Sequence, residues 1–375
     1  MRSITVIYDG TIYTYQWVKA LFWAASELKK HGFLVKYGSP TLFFPRLVKQ
    51  ENPYLYGLGR KKNDILLMAF HNPWSFFDGN VQDGLNMLKR LKENCNRIVW
   101  LDTQDSTGTP NFEVLPYVDL YLKKQLLADL SIYEKKIYGS RLFADYLRQK
   151  MQVEDPVLEF DYTLLHHQYQ SKLDISWNIG ISDYYFGDRR TVLLRPFKLK
   201  YPKYVNPQSK REYDFHFNGG VTYKFKGIVS PIVSFQRRKL VELINSSQGA
   251  HPSPTAKISH ADYLKGVANS KAMFSPFGWG EICLRDFESM IYGNTLIKPD
   301  VQHLKTWPNF FVPNETYIPL DWELNNYSEV VSKIGSTEYF NVSKQAQALF
   351  AKYTIGENAK ELFANHLESV LSRML

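Results

Sequence analysis

At 375 residues the chain is longer than one ordinary α/β core, and at ~150 residues per domain it divides into two, each able to bury a sizeable interior. Hydrophobic residues make up 44% and charged residues 22%, which excludes a disordered chain, and no apolar run reaches the ~18 residues of a membrane span. The formal charge of +9 suits a diphosphate ligand, an anionic membrane surface or a polynucleotide. The basic residues are interspersed with acids, and no zinc spacing or other nucleic-acid motif occurs, so no nucleic-acid partner is expected. Peripheral contact with a membrane and a homodimer are both compatible with this composition. Two cysteines, Cys95 and Cys283, exclude a disulfide framework and point to a reducing compartment. Asn-x-Ser/Thr triplets stand at Asn245, Asn314, Asn326 and Asn341, but residues 1–10 read as a strand and its turn and not as a leader, so a cytoplasmic protein is expected. The 15% aromatic content fits either a Tyr-rich core or flat faces on which sugars stack.

In chain order, Ile4 to Tyr8 is a β-branched run ending at Asp9-Gly10, followed by a helical pattern from Gln16 to Lys30 and a strand from Phe33 to Tyr37. Asp64 to Phe70 and Arg97 to Leu101 are buried-strand candidates flanking a helix from Val81 to Glu93. This alternation predicts a parallel, doubly wound sheet, with ligand positions beyond the strand ends at Asp9-Gly10, His71-Asn72 and Asp102 to Ser106. SWNIGI (176–181) reads as the last strand and turn of a first domain, and a Pro- and Lys-rich stretch over 187–212 as a linker. A second domain then opens with DFHFNGG (214–220). It continues with helices over Ile232–Ser246 and Ser259–Asn269, a strand over Lys271–Ser275, a Gly-rich loop, a helix from Ile282 to Tyr292, and strands over Thr295–Lys298 and Tyr317–Leu320. Ser343 to Leu375 is helical with a break at Gly356. The expected domains are therefore 1–185, joined by the C-terminal helix 355–375, and 212–350.

Residues 274–300 hold the densest chemistry. Gly278 and Gly280 form a tight loop, and Glu281, Arg285 and Glu288 follow at i, i+4 and i+7, on one face of a helix. Such a face at a helix N-terminus offers a carboxylate for ribose hydroxyls and a guanidinium for phosphate; it equally describes a solvated face with an intrahelical Glu–Arg pair.

The segment resembles the donor-binding signature of retaining GT-B glycosyltransferases, in which a Gly-containing loop leads to a helix whose Glu precedes a small-residue end, here Glu288 to Gly293. The resemblance implies that Glu288 binds the donor ribose. The family's second glutamate lies eight positions earlier, where this chain has Gly280, with Glu281 beside it as the implied substitute on the sugar. FNGGVTYKFKG (217–227) is similar to the family's phosphate-clamping stretch, with Gly220 at the arginine position and Lys226-Gly227 at the Lys-Gly. Arg237, Arg238 or Arg285 would replace the missing cation, and Lys226 is either the phosphate contact or a solvated loop lysine. In the first half, DILLMAFHNP and RIVWLDTQDS resemble the strands facing the donor sugar, with Asp102 where the family carries a histidine. Asp102 would touch the sugar or cap its own turn; His71 reads first as a satisfied structural histidine.

The fold implied is α/β of the GT-B type, with two Rossmann-like domains facing a central cleft. The activity implied is a retaining, metal- and cofactor-independent transfer of hexose from a nucleoside-diphosphate sugar, GDP-mannose before UDP-hexose, to a glycan acceptor. Trp279, Gly280 and Glu281 would present loop amides to the leaving diphosphate, and Glu281 and Asp102 are the implied catalytic carboxylates. The competing readings are an inverting transferase using His71, Asp102 or Asp105 as base, a basic nucleic-acid-binding protein, and a non-catalytic sugar-binding module.

Overall fold

The computed structural model describes residues 1–9, 11–37, 64–71, 79–183, 198–247 and 258–375; Gly10, Asn72 and part of the 187–212 stretch lie outside them. The first half contributes β1 (Arg2–Tyr8), β2 (Phe33–Tyr37), β3 (Asp64–Phe70), β4 (Arg97–Asp102), β5 (Leu120–Lys123), β6 (Gln125–Leu127) and β7 (Leu173–Ile175). The second contributes β8 (Tyr213–His216), β9 (Lys224–Phe225), β10 (Ile228–Val229), β11 (Ser270–Phe274), β12 (Thr295–Pro299), β13 (Leu304–Thr306) and β14 (Ile318–Leu320). Two parallel sheets result, ordered β2-β1-β3-β4-β5-β7 and β14-β12-β11-β8. These are two Rossmann-like α/β domains.

A parallel sheet is covered on both faces, so its strands are apolar at consecutive positions. β3 shows why. Ile65, Leu67 and Ala69 enter one core with Val6, Val18 and Leu21, while Leu66, Met68 and Phe70 enter another with Met87, Leu88 and Leu91 of the helix Val81–Asn94. The long helix expected over Gln16–Lys30 is two, Ile12–Trp23 and Ala25–Lys30, meeting at Ala24. Thr11 starts the first by accepting from the Thr14 amide at 3.2 Å. SWNIGI is not a strand; the strand is Leu173–Ile175, and 176–181 is the irregular segment after it.

The halves are joined at several points. The helix Ala359–Ser372 lays Phe363, Ala364, Leu367 and Leu371 on the first sheet's core, beside Trp177. The helix Leu142–Met151 does the reverse, placing Phe143, Ala144 and Leu147 among Phe277, Phe287 and Phe310. β6 and β13 pair antiparallel, Gln125 opposite Thr306, so one backbone ladder spans the two halves.

Three histidines, His216 fully buried and His303 and His366 half-buried, are held towards the neutral form. Burial lowers the pKa of His216 to about 4, helped by the Arg285 charge, and burial likewise lowers His303 and His366. The unfolded chain takes up these protons near pH 6.5, so the stability they contribute is intact above that value and is lost as pH falls towards 4. Thermal melts should therefore drop steadily from pH 7 to 4.5; a melting temperature independent of pH over that range would contradict this assignment.

Candidate functional site

The cleft between the halves lies at the carboxyl ends of the strands, the expected ligand position in parallel sheets, and has a volume of about 720 Å³. His71 follows β3, Thr103 and Asp105 follow β4, and Lys124 follows β5. From the other side, Gly220 follows β8, and Gly278, Trp279, Gly280, Ile282 and Cys283 follow β11.

On the second-domain wall two arginines converge. Arg285, in the first turn of the helix Leu284–Tyr292, donates from Nη2 to the Asn218 carbonyl at 3.2 Å. Arg237, from the helix Pro231–Ser246, donates to the Gly220 carbonyl and to the Phe277 carbonyl, each at 3.0 Å. A Cβ at Gly219 would stand 2.6 Å from Arg285 Nη2 and 3.1 Å from Arg237 Nη1, so both guanidiniums close on this backbone. Burial, then the charge of Arg285, lowers the pKa of Arg237. Among the described residues neither arginine has a carboxylate ion-pair partner, and Arg285 Nε and Nη1 are buried without a protein acceptor. Two adjacent, partly desolvated cations of this kind favour a multiply charged anion. The Tyr223 ring lies 4.8 Å from the Arg237 guanidinium and Trp279 stands edge-on to Tyr223, so the anion position has an aromatic margin.

One turn beyond Arg285, Glu288 lines the same cleft and accepts the Tyr263 hydroxyl at 2.5 Å. Burial raises its pKa. His260 stacks on Tyr263 at 6.0 Å, giving a flat surface next to the carboxylate.

The surroundings of Glu281, Asp102 and Lys226 differ from a donor-contact reading of each. The helix begins at Leu284, not Ile282, because Asp286 caps it, accepting from the Cys283 amide at 3.1 Å and from Lys298 Nζ at 2.6 Å. Glu281 consequently lies outside the helix and off the face of Arg285 and Glu288. Its buried carboxylate accepts from Thr107 Oγ1 (2.6 Å), the Thr107 amide (3.2 Å) and Gln125 Nε2 (2.7 Å), which ties the loop to the first domain. Asp102 is fully buried and binds Tyr121 OH at 2.5 Å, Lys123 Nζ at 2.7 Å and the Gln104 amide at 2.8 Å. The turn-capping alternative describes it. Lys226 occupies, with Gly227, the two-residue tip of the β9–β10 hairpin, both at positive φ (48° and 85°), a type I′ geometry. It is exposed and borders a neighbouring groove, and it is not among the residues lining the cleft.

Gly280 lines the cleft and also meets the first domain. A Cβ there would sit 2.1 Å from the Asp105 carbonyl oxygen, so the loop touches the first domain backbone to backbone. Arg141 reinforces this junction by donating to the Trp279 carbonyl at 2.9 Å. Gly280→Ala should push the two walls apart and lower the melting temperature; a variant with the wild-type melting temperature would contradict this contact.

On the first-domain wall His71, Thr103 and Asp105 stand at strand ends that the sequence marks as ligand positions, whereas Gln16, Lys124 and Ser182 were not singled out. Lys124 is buried, 3.9 Å from Asp105 Oδ1 and 5.2 Å from the Trp17 ring, and burial lowers its pKa. Gln16 Nε2, Thr103 Oγ1 and Ser182 Oγ border the cleft, buried and without partners among the described residues. His71 donates its amide to Asp9 Oδ2 at 2.9 Å, approaches the Thr103 carbonyl through Nδ1 at 3.3 Å and stacks on Tyr13. The signal for Lys124 was present: two lysines interrupt the apolar run LYLKKQLL (120–127).

No protein-family model matches the chain, and no curated protein matches it. Among solved structures it is similar to an alpha-glucosyltransferase in complex with UDP-glucose and DNA containing an abasic site, at 11% identity, 99% of each chain covered and a TM-score of 0.49. It is also similar to a glycosyltransferase from Rickettsia africae, at 10% identity over 100% of this chain and 98% of that one with a TM-score of 0.42. A third is MnaA of S. aureus with UDP, at 11% identity over 100% and 98% with a TM-score of 0.38. The class defined by the chain's own two sheets is a two-Rossmann-domain α/β protein with a cationic cleft between its halves.

Proposed function

We propose that the chain is a glycosyltransferase that moves a hexose from a nucleoside-diphosphate sugar to an acceptor hydroxyl. The observation that carries this reading is the Arg237–Arg285 pair, two converging cations with no carboxylate partner among the described residues, at the strand ends of a Rossmann-like domain. The diphosphate would lie on both guanidiniums. Glu288, half-buried beside Tyr263, would accept from the ribose hydroxyls, and Trp279 and Tyr223 would flank the donor.

When the C1–O bond of the donor breaks, its electron pair goes to the β-phosphate oxygen, and the arginines stabilise that charge without reorganising. The acceptor oxygen bonds to C1, and its proton passes either to the leaving diphosphate on the same face or to a protein base. The first route retains configuration and is the one the resemblance favours; His71 and Asp105, both on the cleft, serve the second. Two fixed guanidiniums supply positive charge that a divalent ion would otherwise bring, so turnover should persist in EDTA, and loss of activity restored by Mn²⁺ would argue against this arrangement. Glu281 and Asp102 hold the walls and are not assigned to the reacting atoms.

The test is release of nucleoside diphosphate from a panel of GDP-, UDP- and ADP-hexoses, GDP-mannose first and UDP-hexoses next, with the anomeric configuration of the product read by NMR. Acceptor-dependent release from one donor supports the reading. No release from any donor, with or without acceptor, overturns it.

A further inference from the structure

A second groove, about 700 Å³, opens from the donor cleft and shares His71, Asp105 and Trp279 with it. One wall carries Leu158 and Phe160, the other Phe225 and Ile228 of the β9–β10 hairpin. Phe160 is 36% exposed, Phe225 54% and Ile228 52%, so large apolar side chains face solvent on both sides of one channel. Soluble proteins seldom leave apolar side chains clustered this way without a ligand. The charges bordering the channel are mixed: Lys226 on one side, Glu159 on the other, and Arg141 already bound to the Trp279 and Gly139 carbonyls at 2.9 and 2.8 Å. A polynucleotide backbone needs a row of unpaired cations, which this border lacks.

We infer that this groove is the acceptor site and that the acceptor is an amphiphile, a hydroxylated head on a hydrocarbon stem. Resting on the transferase reading above, the inference places the head at His71 and Asp105, where the groove meets the donor cleft, and the stem between Phe160 and Ile228. The stem supplies affinity by burial, and the head supplies the attacking hydroxyl.

Calorimetry of the full chain with methyl, hexyl and octyl glucosides, each below its micellar concentration and in the presence of saturating nucleotide sugar, tests this. Affinity should rise at least about tenfold from methyl to octyl. Phe160→Ser/Ile228→Ser, two exposed positions, should abolish that rise. Equal affinity along the series, or a rise unchanged in the double variant, overturns the inference, as does salt-sensitive binding of an oligonucleotide that displaces octyl glucoside. Donor titration in the same cell separates the two levels. Saturable donor binding without a chain-length effect removes only the amphiphile, whereas absence of donor binding removes the transferase reading and the inference with it.

Discussion

Arg285→Ala should weaken nucleotide-sugar binding by roughly a hundredfold or more. Two of its guanidinium nitrogens, Nε and Nη1, are buried without an acceptor among the described residues, and in the proposed reading the diphosphate supplies the partners of this guanidinium. Each charge-assisted hydrogen bond contributes about 1.5–3 kcal/mol, and each 1.4 kcal/mol is tenfold in affinity, so losing two costs about two to four powers of ten. Arg285→Lys should recover only part of this, because a single ammonium cannot present the planar fork that grips two oxygens. Stability should move little, since the substitution also relieves repulsion with Arg237, whose guanidinium closes on the same Gly219 backbone. Lys226→Ala is the internal control: exposed on a hairpin tip outside the arginine pair, it should leave the donor dissociation constant within about twofold. Calorimetry on the three variants distinguishes them, and equal losses for Arg285 and Lys226 would move the diphosphate out of the arginine pair.

Asp102→Ala should be the most destabilising single change near the cleft, by about 3–5 kcal/mol, because it leaves Lys123 charged, unpaired and fully buried. It also removes the acceptor for Tyr121 OH and for the Gln104 amide that forms the turn. For domains of this size each kcal/mol shifts the melting temperature by about 2–4 °C, so a fall of about 10 °C is expected. Adding Lys123→Met to Asp102→Ala should restore much of the loss, since no buried charge then remains unpaired. Asp102→Asn keeps the turn acceptor but not the ion pair and should fall between. Loss of turnover with an unchanged melting temperature would instead make Asp102 a participant in the reaction.

The parallel sheets were legible because burial on both faces imposes continuous apolar runs, and Asp64–Phe70 and Arg97–Asp102 are apolar between their charged ends. The donor wall was legible in part. Glu288 and Arg285 share a helix face and stand in the cleft, as periodicity implies, but Glu281 does not, because the Asp286 cap sets the helix start three residues after it. Spacing along a chain does not reveal which carboxylate caps and which points outward; that depends on Lys298 and Ser275, which arrive from other strands. The sequence left Asp102 between two roles for a related reason: its partners Tyr121 and Lys123 lie on β5, the neighbouring strand, and pairing register is not written in either segment alone. The arginine pair came from two helices about fifty residues apart, and only their shared approach to Gly219 joins them. Gly280 lines the cleft, and its backbone approach to Asp105, a junction between the halves, was not legible in the sequence.

The central claim is that the Arg237–Arg285 pair holds the diphosphate of a sugar nucleotide, and titration calorimetry of purified wild type and Arg285→Ala with a panel of GDP-, UDP- and ADP-hexoses tests it most directly. The account predicts one saturable site per chain for one donor, competed by the matching free nucleoside diphosphate and lost in the variant at unchanged melting temperature. A wild-type protein that no sugar nucleotide saturates, or a variant that binds as the wild type does, would contradict it.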